Sequence, residues 1–238
     1  MKLDILAIGA HPDDVELGCG GTIAKMVNEN KKVGILDLTE GELGTRGTAI
    51  TRKSESNEAS KLLSISYREN LKFRDGFFIN DDNHQIELIK IIRKYKPDIV
   101  LANSISDRHP DHGKAAKLVY DACFLSGLIK IQTNYNGISQ EKWRPKHIFN
   151  YIQWNEEKPD FIIDISHFLD KKVEACMAYK TQFYDPNSLE PNTPITSINF
   201  KKSIIYRAEN LGRIIGCDAG EGFTSQRWIG LKDFENFV

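Results

Sequence analysis

The stretch Leu3-Asp4-Ile5-Leu6-Ala7-Ile8-Gly9 runs directly into Ala10-His11-Pro12-Asp13-Asp14-Val15-Glu16-Leu17-Gly18-Cys19. Its first seven residues read as a buried strand, an apolar run with no alternation that would turn one face to water. The residues after that strand do not make the turn of a dinucleotide fold. That turn needs G-x-G-x-x-G straight after the strand. Here Gly9 is followed by His-Pro-Asp-Asp, whose charges oppose a pyrophosphate, and Gly18, Gly20 and Gly21 come too late. One imidazole and three carboxylates (His11, Asp13, Asp14, Glu16) crowd a turn that normally carries glycine, asparagine or serine. A divalent cation relieves that crowding. Imidazole nitrogen with carboxylate oxygen and few protein ligands suits zinc in an open catalytic site.

The pattern repeats outward from this point. Strand-like runs at 3–9, 33–38, 71–73 and 98–102 alternate with helical segments at 20–30, 51–63, 83–95 and 113–125. In segment 83–95, Ile86, Leu88, Ile89, Ile91 and Ile92 gather on one side and Pro97 ends the helix. Such alternation predicts an α/β fold, a Rossmann-like and mostly parallel sheet with helices on both faces. The second half is less regular: strands at 147–153 and 161–165, helices at 168–179 and 201–212. The segment 185–194 holds three of the eight prolines and reads as a loop rimming a site. One domain is expected over 1–238, its C-terminal part (about 140–238) completing the pocket.

A second cluster, Asp107-Arg108-His109-Pro110-Asp111-His112, follows the apolar run 99–102. Three of the six histidines fall in the two clusters, each at the C-terminal end of a predicted strand. Ligands of open α/β sheets bind at that edge. His11 and Asp14 are three apart on one turn and His112 comes from another strand end, so the three can converge on one metal and leave positions open for water and substrate. Asp13 is then a spare carboxylate, either a general base or a hydrogen-bond acceptor for a ligand histidine. Glu16 suits the helix start, where it favours the dipole. His109 beside Asp111 forms a pair in which a carboxylate favours a protonated imidazole able to stabilise an oxyanion. His84, His147 and His167 read as surface or packing residues. Arg46, Arg52 and Arg108, near strand ends, offer paired donors to a substrate carboxylate. Each could equally be a structural arginine, and Arg52 could pair with Glu55 on its own helix.

Several classes are excluded. A net charge of −1 provides no basic field for nucleic acid or an anionic membrane. No apolar run approaches the length of a membrane span. The start of the chain lacks the apolar core and cleavage site of a signal peptide. Cys19, Cys123, Cys176 and Cys217 form no C-x-x-C and read as bystander thiols of a reducing cytoplasm.

Ala-His-Pro-Asp-Asp-Val-Glu-Leu at 10–17, with His-Pro-Asp-His at 109–112, resembles the PIG-L/LmbE-like zinc N-deacetylases. The resemblance runs from Leu3 to about Phe223. Both motifs occur in order and at the family's usual separation. The loop Thr39-Glu40-Gly41-Glu42-Leu43-Gly44-Thr45-Arg46-Gly47-Thr48, followed by Arg52 and Glu55, is similar to the bacillithiol-pathway branch, whose members deacetylate N-acetylglucosaminyl malate. The resemblance implies the same ligands (His11, Asp14, His112), one Zn²⁺ per chain, the His109–Asp111 pairing, a small-molecule sugar substrate, and a homo-oligomer, trimer or hexamer. Fe²⁺, Co²⁺ or Ni²⁺ could occupy the same ligands. Relatives can place a tyrosine near the site in the later loops, but Thr193-Pro194-Ile195-Thr196 offers no phenol. Two rival readings remain: a deacetylase of another N-acetylated sugar conjugate, and a non-catalytic metal- or carbohydrate-binding protein. The spare carboxylate of Asp13 argues against the second.

Overall fold

The polypeptide builds β1 (Ile5–Gly9), α1 (Asp14–Asn28), β2 (Val33–Thr39), α2 (Ala49–Leu62), β3 (Tyr67–Phe73), α3 (Asp82–Tyr95), β4 (Ile99–Ala102) and α4 (Pro110–Leu125) in strict alternation. The second half adds β5 (Asn134–Tyr135), β6 (Ile138–Ser139), β7 (His147–Tyr151), β8 (Phe161–Asp164), α5 (Leu169–Met177), α6 (Ile198–Ile215) and β9 (Gly220–Thr224). This computed structural model describes residues 1–231 and 233. Seven strands form one sheet in the order β3-β2-β1-β4-β7-β9-β8. From β3 to β7 all neighbours are parallel, with Ile5 opposite both Val33 and Ile99. β9 and β8 then close the edge antiparallel. The expected single-domain α/β fold with a mostly parallel sheet is therefore present.

Successive side chains of a strand point to opposite faces, and the two cores follow that period. Leu6, Ile8, Leu36, Leu38, Val100 and Ala102 pack under α3 and α4. Ile5, Ala7, Val33, Ile35 and Leu101 pack with the apolar side of α1 on the other face. Helix ends carry the expected local chemistry. Asp81 caps α3 by accepting from the His84 N–H, and Lys96, left-handed at φ 46°, stops it before Pro97. Pro110 opens α4 and Gly216 (φ 81°) closes α6.

Four features depart from the sequence expectation. Helix α1 starts at Asp14, ahead of the expected 20, and its first turn is separated from the rest by a break at Cys19 (φ −146°, ψ 25°). β3 extends over seven residues, well before 71. The β5–β6 hairpin turns on Asn136-Gly137, both at positive φ, and β9 enters the sheet between β7 and β8. Among the described residues no helix is long and apolar enough to cross a membrane.

Candidate metal and catalytic site

The strand order reverses between β1 and β4: from β1 the chain first builds outward through β2 and β3, then returns to its other side. The crevice at such a reversal, outside the carboxyl ends of the strands, is where open α/β sheets bind ligands. The loop after β1 carries His11, Asp13 and Asp14, and the loop after β4 carries Asp107 to His112. Asn103, fully buried at the end of β4, ties the two together. Its Oδ1 accepts from the Ala10 N–H (2.9 Å), and its amide donates to Asp14 Oδ2 (3.0 Å) and Gln153 Oε1 (2.8 Å). Gln153 in turn donates to Asp14 Oδ1 (2.9 Å), and the His11 N–H donates to Oδ2 (2.9 Å). The Asp14 carboxylate is thus aimed from several sides.

Asp14 lies between two imidazoles. His11 Nδ1 is 3.5 Å from Oδ2, and His112 Nε2 is 3.1 Å from Oδ1. The opposite ring nitrogen of each histidine faces a carboxylate. His112 Nδ1 meets Asp107 at 2.5 Å; His11 Nε2 meets Asp75 at 3.1 Å and Asp111 at 3.4 Å. Burial opposes protonation of both rings but is outweighed. Asp111, Asp14 and Asp75 hold His11 well above its usual range, and Asp14 with Asp107 pushes His112 up to about 9. Burial would likewise raise Asp14, yet the two imidazoles hold its carboxyl well below the usual range. So much negative charge around two imidazoles marks a place for a cation. One ligand atom each from His11, His109 and His112 lie within 4.8 Å of one another, and the same holds for His11, Asp75 and Asp111.

Asp13 stands apart from both groups. It precedes α1 in a strained backbone conformation (φ 122°, ψ −24°), with its carboxylate lining the cavity. Burial raises its pKa to about 7, against the guanidinium of Arg52, whose Nη2 lies 3.2 Å from Oδ2. His109 caps α4: its Nδ1 accepts from the Asp111 N–H (3.2 Å). Its ring meets His11 edge-on, with centroids 4.6 Å apart. The Asp111 carboxylate goes elsewhere, to the Gly76 N–H (2.8 Å), Lys114 (3.0 Å) and His11. The expected His109–Asp111 side-chain pair is therefore replaced by a backbone cap. Burial, with His11 and His112 nearby, lowers the His109 pKa.

Residues 6–123 match the family model described as PIG-L, GlcNAc-PI de-N-acetylase. A crystal structure of the conserved protein TT1542 from Thermus thermophilus is 33% identical, superposes with TM-score 0.86, and covers 98% of this chain and 99% of its own. The chain belongs to the PIG-L family. N,N'-diacetylchitobiose deacetylase from Pyrococcus horikoshii superposes at TM-score 0.79 with 26% identity, over 92% of this chain and 82% of that one. Diacetylchitobiose deacetylase from Thermococcus kodakarensis is 29% identical over 190 residues, 75% of this chain and 70% of the relative.

The PIG-L motifs open into a cavity of about 360 Å³ whose walls include His11, Asp13, His109, His112, Arg52, Arg108 and Trp154. The three arginines named from sequence part company here. Arg52, buried on α2, lies against Asp13 and donates to the Pro12 carbonyl, while Glu55 holds Thr181 instead. Arg108 is at the rim, its guanidinium 4.3 Å over the Trp154 ring. Arg46 is buried away from the cavity walls, where it joins its loop to Ser188 and Glu190 (3.5 Å) in segment 185–194. Sequence reasoning missed Asp75, Asn103 and Gln153, and quoted Asp107 without giving it a role. Asp107 adjoins Arg108, already singled out, and Asp75 only follows the short strand expected at 71–73; nothing in a lone Asn or Gln announces a contact to Asp14. Glu16 is fully buried against Arg68 (2.6 Å) and the Tyr179 hydroxyl (2.9 Å), behind the helix start. All four cysteines are free.

Proposed function

We propose that this chain removes the acetyl group from N-acetylglucosaminyl malate, giving acetate and the free amine, with one divalent ion, zinc, held by His11 Nδ1, Asp14 and His112 Nε2. The observation that carries the reading is the sharing of Asp14 by two imidazoles that are each backed by a carboxylate. Ligand atoms about 2.1 Å from one tetrahedral ion sit roughly 3.4 Å apart; His11 Nδ1 lies 3.5 Å from Asp14 Oδ2 and His112 Nε2 lies 3.1 Å from Oδ1, so each ring reaches the shared carboxylate at about that spacing through its own oxygen. Outer carboxylates on ligand histidines orient the rings and raise their basicity. The donor set therefore fits the metal that the family implies. When bound there, the ion polarises the acetyl carbonyl and acidifies the attacking water.

The chain's own groups do the rest. Asp13 takes a proton as water adds to the carbonyl carbon. It returns that proton to the nitrogen as the C–N bond breaks, so acetate and amine leave in balance. Arg52 offsets part of the rise that burial imposes on the Asp13 pKa, which stands at about 7 and suits a group that takes and returns a proton near neutral pH. The Asp111 N–H donates to His109 Nδ1, which places the ring proton on Nε2, where a neutral imidazole can donate to the oxyanion. Arg108, stacked on Trp154 at the rim, is preorganised to read the malate carboxylates.

Acetate release by the zinc-loaded protein tests this, with kcat/KM compared for the malate conjugate and plain N-acetylglucosamine. The conjugate should be preferred, and Arg108→Ala should narrow the gap roughly ten- to a hundredfold. Equal use of both substrates removes the malate assignment and leaves the deacetylase. Turnover of neither removes both. The similarity to diacetylchitobiose deacetylases favours a second reading, an N-acetylated oligosaccharide substrate, which would show as a preference for chitobiose-type substrates. The proposal also carries a cytoplasmic homo-oligomer, trimer or hexamer, whose assembly state sedimentation of the purified protein checks.

A further inference from the structure

Helix α1 is two helical pieces joined at the break at Cys19. A break exposes the last carbonyls of the first piece and the first N–H groups of the second. Here it does so in the interior, since Gly18, Cys19, Gly20 and Gly21 are all buried. Two charged side chains from the C-terminal half fill the gap. Lys172, on α5, donates from Nζ to the carbonyls of Leu17 (2.6 Å) and Glu16 (3.5 Å). Glu221, on β9, accepts from the N–H groups of Gly21 (3.0 Å) and Thr22 (2.7 Å). The two meet each other at 2.5 Å, with side chains 5% and 3% exposed. Each charge thus lies at the helix end whose dipole favours it.

The first piece is the turn that begins with Asp14. Its amino end carries the proposed base and metal ligand, and its carboxyl end is held by Lys172. We infer that Lys172 is a positioning residue of the site: by binding the Glu16 and Leu17 carbonyls it fixes the turn so that Asp14 stays between His11 and His112. Glu221 neutralises Lys172 and starts the second piece. Stability alone is a poor reason for such a pair, because replacing a buried ion pair by neutral groups is often harmless to stability. Its placement across a break beside a ligand turn is what a positioning role requires. The inference rests on Asp14 being a metal ligand.

The test uses full-length Lys172→Met, Glu221→Gln and the double variant. Melting temperature, zinc dissociation constant by chelator competition, kcat and KM are read for each. Either single change leaves a buried charge without its partner and lowers the melting temperature. The double variant carries no unpaired charge and regains most of the loss, yet the Leu17 carbonyl remains unheld. It should still bind zinc about ten- to a hundredfold more weakly, the usual effect of losing an outer support of a metal site. Its kcat should fall with KM little changed. Glu221→Gln, which keeps Lys172 on Leu17, should lose less zinc affinity than the double variant despite its lower melting temperature. A double variant with wild-type zinc affinity and kcat overturns the inference, as does Glu221→Gln losing as much zinc affinity as the double variant. A wild-type protein that binds no zinc in the same titration overturns the metal assignment itself.

Discussion

Replacing Arg52 by methionine should move the acid limb of the pH–kcat/KM profile to higher pH. The Arg52 guanidinium lies 3.2 Å from the Asp13 carboxylate, and the two side chains are only 4% and 12% exposed. Burial is the largest influence on Asp13 and raises its pKa; Arg52 is the largest opposing one. Two unit charges at that separation interact by about 5 kcal/mol at an effective dielectric of 20 and about 1.3 kcal/mol in bulk water. A cleft open to solvent lies between these limits, and arginine beside an aspartate typically lowers its pKa by about 1–3 units.

The sign follows from the role. A base works as the carboxylate, so activity is lost as pH falls through its pKa. Removing the guanidinium raises that pKa and shifts the limb up by about 1–3 units. A bound cation lowers Asp13 in both proteins and leaves the difference in place. The assay is kcat/KM across the neutral range for both proteins, with metal content measured alongside. The alkaline plateau separates two roles for Arg52. It returns to the wild-type level if Arg52 acts through Asp13 alone, and stays about ten- to a hundredfold lower if Arg52 also binds a substrate carboxylate. An acid limb that does not move, or moves to lower pH, refutes Asp13 as the base.

Asp13→Asn keeps the shape and tolerates the positive φ, so metal content should hold while turnover falls about two to four powers of ten; loss of metal would make Asp13 a ligand. Asp107→Ala removes the carboxylate behind His112 and should weaken zinc binding about ten- to a hundredfold in chelator competition; an unchanged constant would put His112 outside the metal site. Gly18→Ala places a Cβ 2.2 Å from the buried Tyr151 ring. Overpacking of this kind costs about 1–3 kcal/mol, visible as a lower melting temperature, and an unchanged melt would contradict the close approach of Gly18 on α1 to Tyr151 on β7.

The parallel half of the fold was readable because its signals are local. Apolar runs such as 99–102 name buried strands, and Pro97 and Pro110 punctuate helices. Residue type alone makes His11, Asp14 and His112 conspicuous, since charged groups at the ends of buried strands demand a reason. The supporting contacts were not readable for the opposite cause. Asp75 reaches His11 across 64 positions and Gln153 reaches Asp14 across 139, and no spacing rule links such pairs. The His109–Asp111 expectation failed on direction rather than proximity. Residues two apart at a helix start point to different sides, so the imidazole met the backbone N–H of Asp111 while its carboxylate met Gly76 and Lys114.

Strand β9 shows why the second half was harder. Its sequence, Gly220-Glu221-Gly222-Phe223-Thr224, holds two glycines and a glutamate, residues depleted in strands. Space explains the glycines: a Cβ at 220 would lie 2.5 Å from Ile162, and one at 222 would lie 3.1 Å from Ile152. The glutamate is explained only by the break in α1, whose buried N–H groups need an acceptor. The glycines flanking that break read, in sequence, as a poor helix start, yet packing requires them: a Cβ at Gly18 would strike Tyr151 on β7, and one at Gly21 would strike Ile165 beyond β8, at 2.6 Å. The glycines that hide the true start of α1 are those that let the C-terminal strands pack against it. The ligand turn at its start is therefore supported by the part of the chain whose pattern is weakest.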